Sequence, residues 1–126
     1  MKDFRDLRVW QRAHALTLSV YRVTATFPRD ERFGLTSQLR RAASSVAANI
    51  AEGCGRIGDA EFARYCSIAM GSASEVDYHL LLAKDLELIH SNDYDEMAKR
   101  AAELKRMLNV LLQKLRPKSQ EPKANS

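Results

Sequence analysis

The sequence predicts an all-α fold, an antiparallel up-down-up-down four-helix bundle. Three observations lead there. Apolar residues recur at spacings of three and four in four separate segments, and no stretch shows the sustained alternation of a half-buried strand. Pro28, Pro117 and Pro122 fall outside those segments. The connections are short, which favours antiparallel neighbours.

The first helix is expected from about Leu7 to Ala25, with Trp10, Ala13, Thr17, Val20 and Thr24 on one stripe and Leu16, Tyr21 and Val23 widening it. Phe27-Pro28 ends it, because the residue before proline is pushed out of the helical region. A charged loop, Arg29 to Arg32, follows, and Phe33 is expected to pack across the start of the second helix.

That second helix, LTSQLRRAASSVAANIAEG, is the most informative stretch. Leu35, Leu39, Ala42, Val46, Ile50 and Gly53 form an apolar seam, while Ala43, Ala47, Ala48 and Ala51 carry small apolar surface round to the other side. A helix apolar most of the way round is buried on more than one side. In so short a chain this predicts cover by a second chain, with the alanine flank making a close contact to another helix or subunit. Gly53 to Gly58 stops the helix.

Gly58 or Asp59 can cap the third helix, and Glu61 suits its positive end. Its expected seam is Phe62, Tyr65, Ala69, Ser72, Val76, Leu80, Ala83 and Leu86, running to Ile89. Gly71 lies inside it at a cost of about 1 kcal/mol relative to Ala, tolerable where a neighbouring backbone comes close, as the alanine-rich second helix would require. Ser91 or Asn92 caps the fourth helix, whose seam is Tyr94, Met97, Ala101, Leu104, Leu108, Leu111 and Leu115. Residues 1–116 thus form one bundle, and the polar, apolar-poor segment 117–126 reads as a disordered tail.

Composition excludes several classes. The longest strongly apolar run is about Leu80 to Ala83, far below the roughly 20 residues of a membrane span. The start, MKDFRDLRVW, has no apolar core and does not read as a signal peptide. Cys54 and Cys66 form no C-x-x-C. Two reduced cysteines in a cytoplasmic protein is the expectation.

The net charge of +4 conceals a pattern. Residues 1–50 hold nine Lys/Arg against four Asp/Glu, residues 51–98 three against ten, and residues 99–126 eight against two. Basic ends flank an acidic middle. Either the blocks neutralise each other within or between subunits, or the basic segments meet a polyanion. Arg5, Arg8, Arg12 and Arg22 line the first helix. Lys99, Arg100, Lys105, Arg106, Lys114, Arg116 and Lys118 follow the fourth helix and its exit, with Glu103 as the counterweight from Lys99 to Lys118. The candidate nucleic-acid contacts are Arg5, Arg8, Arg12, Lys99, Arg100, Lys105, Arg106, Lys114 and Arg116. Nothing suggests base readout, so binding through them would be backbone-driven and salt-sensitive.

The signatures Gln38-x-x-Arg41-Ala42, Asn49-Ile50-Ala51-Glu52-Gly53 and Ala69-x-Gly71-Ser72-x-x-Glu75 occur in one order and separation. With them the chain, from about Phe4 to Leu115, resembles the 23S rRNA intervening-sequence proteins. Gly58 stands where that family often places a Ser cap, and Ala47 where a Pro can occur. The resemblance implies a four-helix bundle assembled as a ring-like homopentamer. It extends to the accessory variability determinants of diversity-generating retroelements, which engage nucleic acid and a reverse transcriptase. RNA or DNA and a reverse transcriptase or other protein are therefore the implied partners. No catalytic residue is carried over.

Gln38, Arg41, Asn49 and Glu75 are polar positions inside the signatures. Asn49 borders the seam and needs hydrogen-bond partners. Arg41 shares its flank, and Glu75 precedes the seam residue Val76, so a structural cluster of Arg41, Asn49 and Glu75 is expected, with Gln38 joining. A carboxylate tied to an Arg is poorly placed as a general base.

Other signals are set aside. Gly53-Cys54-Gly55-Arg56-Ile57-Gly58 matches G-x-G-x-x-G, but a helix precedes it where dinucleotide binding needs a strand. His14, His79 and His90 lie on separate segments, without the Glu-x-x-His pairs of a metal bundle. Ser44-Ser45 has no adjacent base. Trp10, Tyr21, Phe27, Phe62 and Tyr65 fall at core spacing. The expectation is a non-enzymatic homo-oligomer without cofactor, metal or membrane contact, which binds nucleic acid, RNA above all. The alternative is a structural or protein-binding oligomeric scaffold with no nucleic-acid role.

Overall fold

The computed structural model describes residues 3–116. A 3-10 turn at Phe4–Asp6 leads into α1 (Arg8–Thr24), and a second at Arg29–Glu31 precedes α2 (Leu35–Cys54); α3 (Asp59–Asp85) and α4 (Ser91–Leu115) follow. At 1.5 Å per residue, α3 is about 40 Å long. Among the described residues there is no strand, and no helix is long and apolar enough to cross a membrane. The segment 117–126 lies outside the described residues, so the expectation of a disordered tail falls there.

Side-chain contacts fix the helix directions. Thr17 reaches the Ala43 carbonyl at 3.1 Å and Arg40 reaches Thr24 at 2.8 Å, so α1 and α2 run in opposite senses. Ser45 meets Ser72 while Gly53 meets Tyr65, which sets α2 against α3. Lys105 pairs with Asp77 and Lys84 lies over the Tyr94 ring, which orients α4. Arg12 with Glu103 and Ser19 with Arg100 close the square between α4 and α1. Every adjacent pair is antiparallel.

The six-residue seam of α2 is buried as the sequence predicts. Of the two contacts open to its alanine flank, the structure shows the one with neighbouring helices. Ala43 and Ala47 are buried inside this bundle, and only Ala48 of that flank is exposed. Helix α2 therefore finds most of its cover within its own chain. The close contact it makes is with α3, at Gly53.

The remaining seams shift slightly. On α1 the buried stripe is Val9, Ala13, Leu16, Val20 and Thr24. Trp10 is drawn to the bundle edge, its ring 5.0 Å from Phe4 and stacked 4.8 Å from His14. Thr17 is half-buried because its hydroxyl serves the Ala13 and Ala43 carbonyls. On α3 the seam is Cys66, Ala69, Ala73, Val76, His79, Leu80 and Ala83. On α4 Met97, Ala101, Leu104 and Leu108 are buried, with Tyr94, Leu111 and Leu115 packed at the margin.

Two helix ends differ from expectation. Helix α3 stops at Asp85, not Ile89, because Glu87 adopts φ 60°. The Leu88 amide then bonds the Ala83 carbonyl and the Glu87 amide bonds that of Lys84, both at 2.9 Å. This is a Schellman termination with a glutamate where glycine is usual. It turns Leu86 outward and returns Ile89 to the core. At α4 the cap position belongs to His90, and Ser91 is the first helical residue. Gly58 does cap α3, with φ 89°.

Candidate nucleic-acid interface

The nine basic candidates divide by partner. Arg5 is held by Asp3 at 3.1 Å, Arg12 by Glu103 at 2.7 Å, Arg100 by Glu96 at 2.8 Å and Lys105 by Asp77 at 2.9 Å. Lys105 is also half-buried, so it serves the packing of α4 on α3. Arg8, Lys99, Arg106, Lys114 and Arg116 have no ion-pair partner among the described residues. A guanidinium already paired with a carboxylate offers a phosphate little net charge. The structure thus separates the expected stripe into a neutralised part and a free part.

Three of the free cations converge. Arg8 from the start of α1, with Arg106 and Lys114 from α4, line an open groove of about 530 Å³. Its floor is apolar, made by Leu7, Val9, Met107, Val110 and Leu111. Sequence spacing brings Arg106 and Lys114 to one flank of α4, two turns apart. The antiparallel α1 then delivers Arg8 beside them.

The expected polar cluster is not assembled. No hydrogen bond or ion pair joins Arg41, Asn49 and Glu75 among the described residues. The Asn49 amide instead donates to the Ser45 carbonyl at 2.8 Å and to the Ser45 hydroxyl at 3.0 Å. That hydroxyl meets Ser72 at 3.0 Å, so the α2–α3 contact is tied by Ser45, Asn49 and Ser72. Glu75 faces outward on α3, its carboxylate 4.0 Å from Nδ1 of His79 on the same helix, too far for a hydrogen bond. Gln38 and Arg41 are exposed. The physical reason is rotation: α3 buries Ala73 and Val76, which carries Glu75 to the solvent side.

Arg41 belongs to another cluster. Tyr21, Arg32, Phe33, Arg40, Arg41 and Ser44 line a shallow cleft of about 470 Å³ where α1 ends and α2 begins. Phe33 does not pack across α2; it is 88% exposed, and Tyr21 is 45% exposed. Both rings carry a guanidinium, Arg32 at 5.4 Å from Phe33 and Arg40 at 4.6 Å from Tyr21. Tyr21 and Phe33, both expected at packed positions, are uncovered.

The groups with chemical potential are spread out. Among the described residues no cluster of three or more His, Cys, Asp or Glu is placed to hold a metal ion. Burial pushes the Cys66 thiol up to about 11, with Cys54 adding to the shift. His79 is buried and its Nδ1 lacks a hydrogen-bond partner.

Residues 5–110 match the family described as 23S rRNA-intervening sequence protein. The chain belongs to this family. Six chains of known structure also match. One is a protein of unknown function from the S23 ribosomal protein family of Bacteroides thetaiotaomicron. It is 22% identical, with a TM-score of 0.75 over 83% of this chain and 98% of that one. At that identity the likeness establishes a shared fold. No curated protein matches the chain. For this member of the 23S rRNA-intervening sequence family, functional assignment must therefore rest on its own surfaces.

Proposed function

We propose that this protein is a non-enzymatic, cytoplasmic, homo-oligomeric bundle that binds structured nucleic acid, RNA above all, through the groove between α1 and α4. The observation that carries the reading is the convergence of Arg8, Arg106 and Lys114, none with a carboxylate partner among the described residues, on one open groove. Guanidinium and ammonium groups so placed neutralise backbone phosphates and release their counterions. A ring of copies, five in the form the family resemblance suggests, repeats the groove round its circumference.

Oligomerisation has its own support on α3. Ile68, Tyr78 and Leu81 are exposed on its outer surface and Leu86 at its C-terminal cap. Gly71 is exposed there too and not turned to α2 as expected, since a Cβ at it would meet nothing within 4 Å. A glycine inside a helix is costly, and close approach of another backbone is a physical reason to keep it. This surface also favours a second reading, a structural or protein-binding oligomeric scaffold with no nucleic-acid role.

The two readings separate in a titration with a labelled RNA hairpin at two salt concentrations, alongside light scattering. The Arg106→Gln/Lys114→Gln variant should keep the oligomer mass and lose affinity. Its log–log salt slope should fall by about 2, near 0.9 per phosphate contact removed. An intact oligomer that ignores the hairpin at low salt leaves the scaffold reading.

A further inference from the structure

We infer that the cleft at the α1–α2 corner is a second site, one that takes an unpaired nucleobase together with its flanking phosphates. It goes beyond the groove reading in both place and chemistry. Arg8 opens α1 and Tyr21 lies near its other end, so the two sites occupy opposite ends of the bundle.

Phe33 presents an exposed ring at this corner. Burying a Phe side chain contributes about 1.5–3 kcal/mol, yet Phe33 is left 88% exposed. The ring has one guanidinium near it, Arg32, and ample open surface elsewhere. Every nucleobase has a π-face, so an uncovered aromatic ring is a sequence-tolerant stacking platform.

The corner is also strongly basic. Arg32, Arg40 and Arg41 line the cleft, and none has a carboxylate partner among the described residues. Arg40 is already oriented: its Nε donates to the Thr24 hydroxyl at 2.8 Å and its Nη2 to the Tyr21 carbonyl at 3.3 Å. These bonds hold it over the Tyr21 ring. Arg32 and Arg41 keep their forks for phosphate oxygens, a match guanidinium makes better than ammonium. The Ser37 and Ser44 hydroxyls add neutral polar groups to the same wall.

Ring and charge together favour a single strand. A duplex keeps its bases stacked on each other and presents only backbone to such a corner, whereas a loop or bulge can place a splayed base on Phe33. RNA and DNA share this chemistry, and the test distinguishes them.

The experiment measures fluorescence anisotropy with the full chain and three labelled probes of one sequence: single-stranded RNA, single-stranded DNA, and the RNA annealed to its complement. Single strands should bind more tightly than the duplex, and the tighter of the two assigns the sugar. Phe33→Ala, at a solvent-facing position, should weaken single-strand binding about tenfold, in line with loss of one stacked base. Duplex binding should stay unchanged. Arg32→Gln and Arg41→Gln should each lower the single-strand salt slope by about 0.7. Arg106→Gln/Lys114→Gln acts on the groove instead, so failure at one site is not mistaken for failure at the other. The proposal is overturned if Phe33→Ala binds single strands as the parent does. It is equally overturned if that variant loses oligomer mass while RNA affinity is retained, which would make the corner a contact between copies.

Discussion

Gly53 of α2 stands so close to Tyr65 of α3 that a Cβ at Gly53 would lie 2.7 Å from the Tyr65 Cβ and 3.0 Å from a ring carbon of Phe62. The Tyr65 Cβ is one bond from the backbone, so it yields only if α3 moves. The seam that begins with Leu35 therefore ends in a position that tolerates no side chain. Gly53→Ala should lower stability by about 1–3 kcal/mol, the usual cost of overpacking. A drop in the urea midpoint at unchanged slope would show it.

Glu87 offers the opposite case. It holds φ 60° to close the Schellman turn after α3, a conformation glycine adopts without penalty. Glu87 is also exposed. Glu87→Gly should raise stability by roughly 0.5–1 kcal/mol, because relief of the left-handed strain outweighs the added freedom of the unfolded chain. Thermal unfolding would register it as a higher Tm. A lower Tm would mean that the glutamate side chain contributes something beyond the turn.

Legibility in the sequence followed the strength of the local pattern. Leu35 to Gly53 has one unbroken apolar row, and all six seam residues are buried. On α3, apolar or small residues occur most of the way round, so spacing alone cannot choose between Ser72 and Ala73 as the inward position. The choice falls to packing against α2, and it carries Glu75 away from Asn49. The end of α3 was equally hidden, since a glutamate in a left-handed conformation leaves no signal in composition. The basic candidates were visible as charges, but which of them are neutralised depends on partners far along the chain. Arg12 and Glu103, or Lys105 and Asp77, meet only once the helices are side by side. Phe33 carried no sign that it would be left uncovered.

The buried thiol predicts a pH dependence. Cys66 is pushed up to about 11 from an ordinary 9.0, first by burial and then by Cys54. As pH rises through that window, the unfolded chain releases a proton that the folded chain retains. Cys66 thus contributes stability that is fully present below pH 9.0 and is lost as pH approaches about 11. By linkage the loss is on the order of 2 kcal/mol. Melting curves across this range should fall more steeply for the parent than for Cys66→Ala, even though the variant starts lower for want of a buried sulfur. Parallel curves would mean that the thiol titrates alike in both states.

Gly71 decides what covers the outer face of α3. In a lone bundle a methyl group there would meet nothing within 4 Å, and Gly71→Ala should gain about 1 kcal/mol from helix propensity alone. If another copy packs on Ile68, Gly71 and Tyr78, the same methyl intrudes on a backbone contact and weakens assembly. With homo-oligomerisation through this face, the expected outcome is a smaller mass by light scattering at a given protein concentration. The Tm should also depend less on concentration, because the mass-action contribution of subunit association to stability shrinks as assembly weakens. A raised Tm at unchanged mass would return α3 to solvent and move the subunit contact to another face.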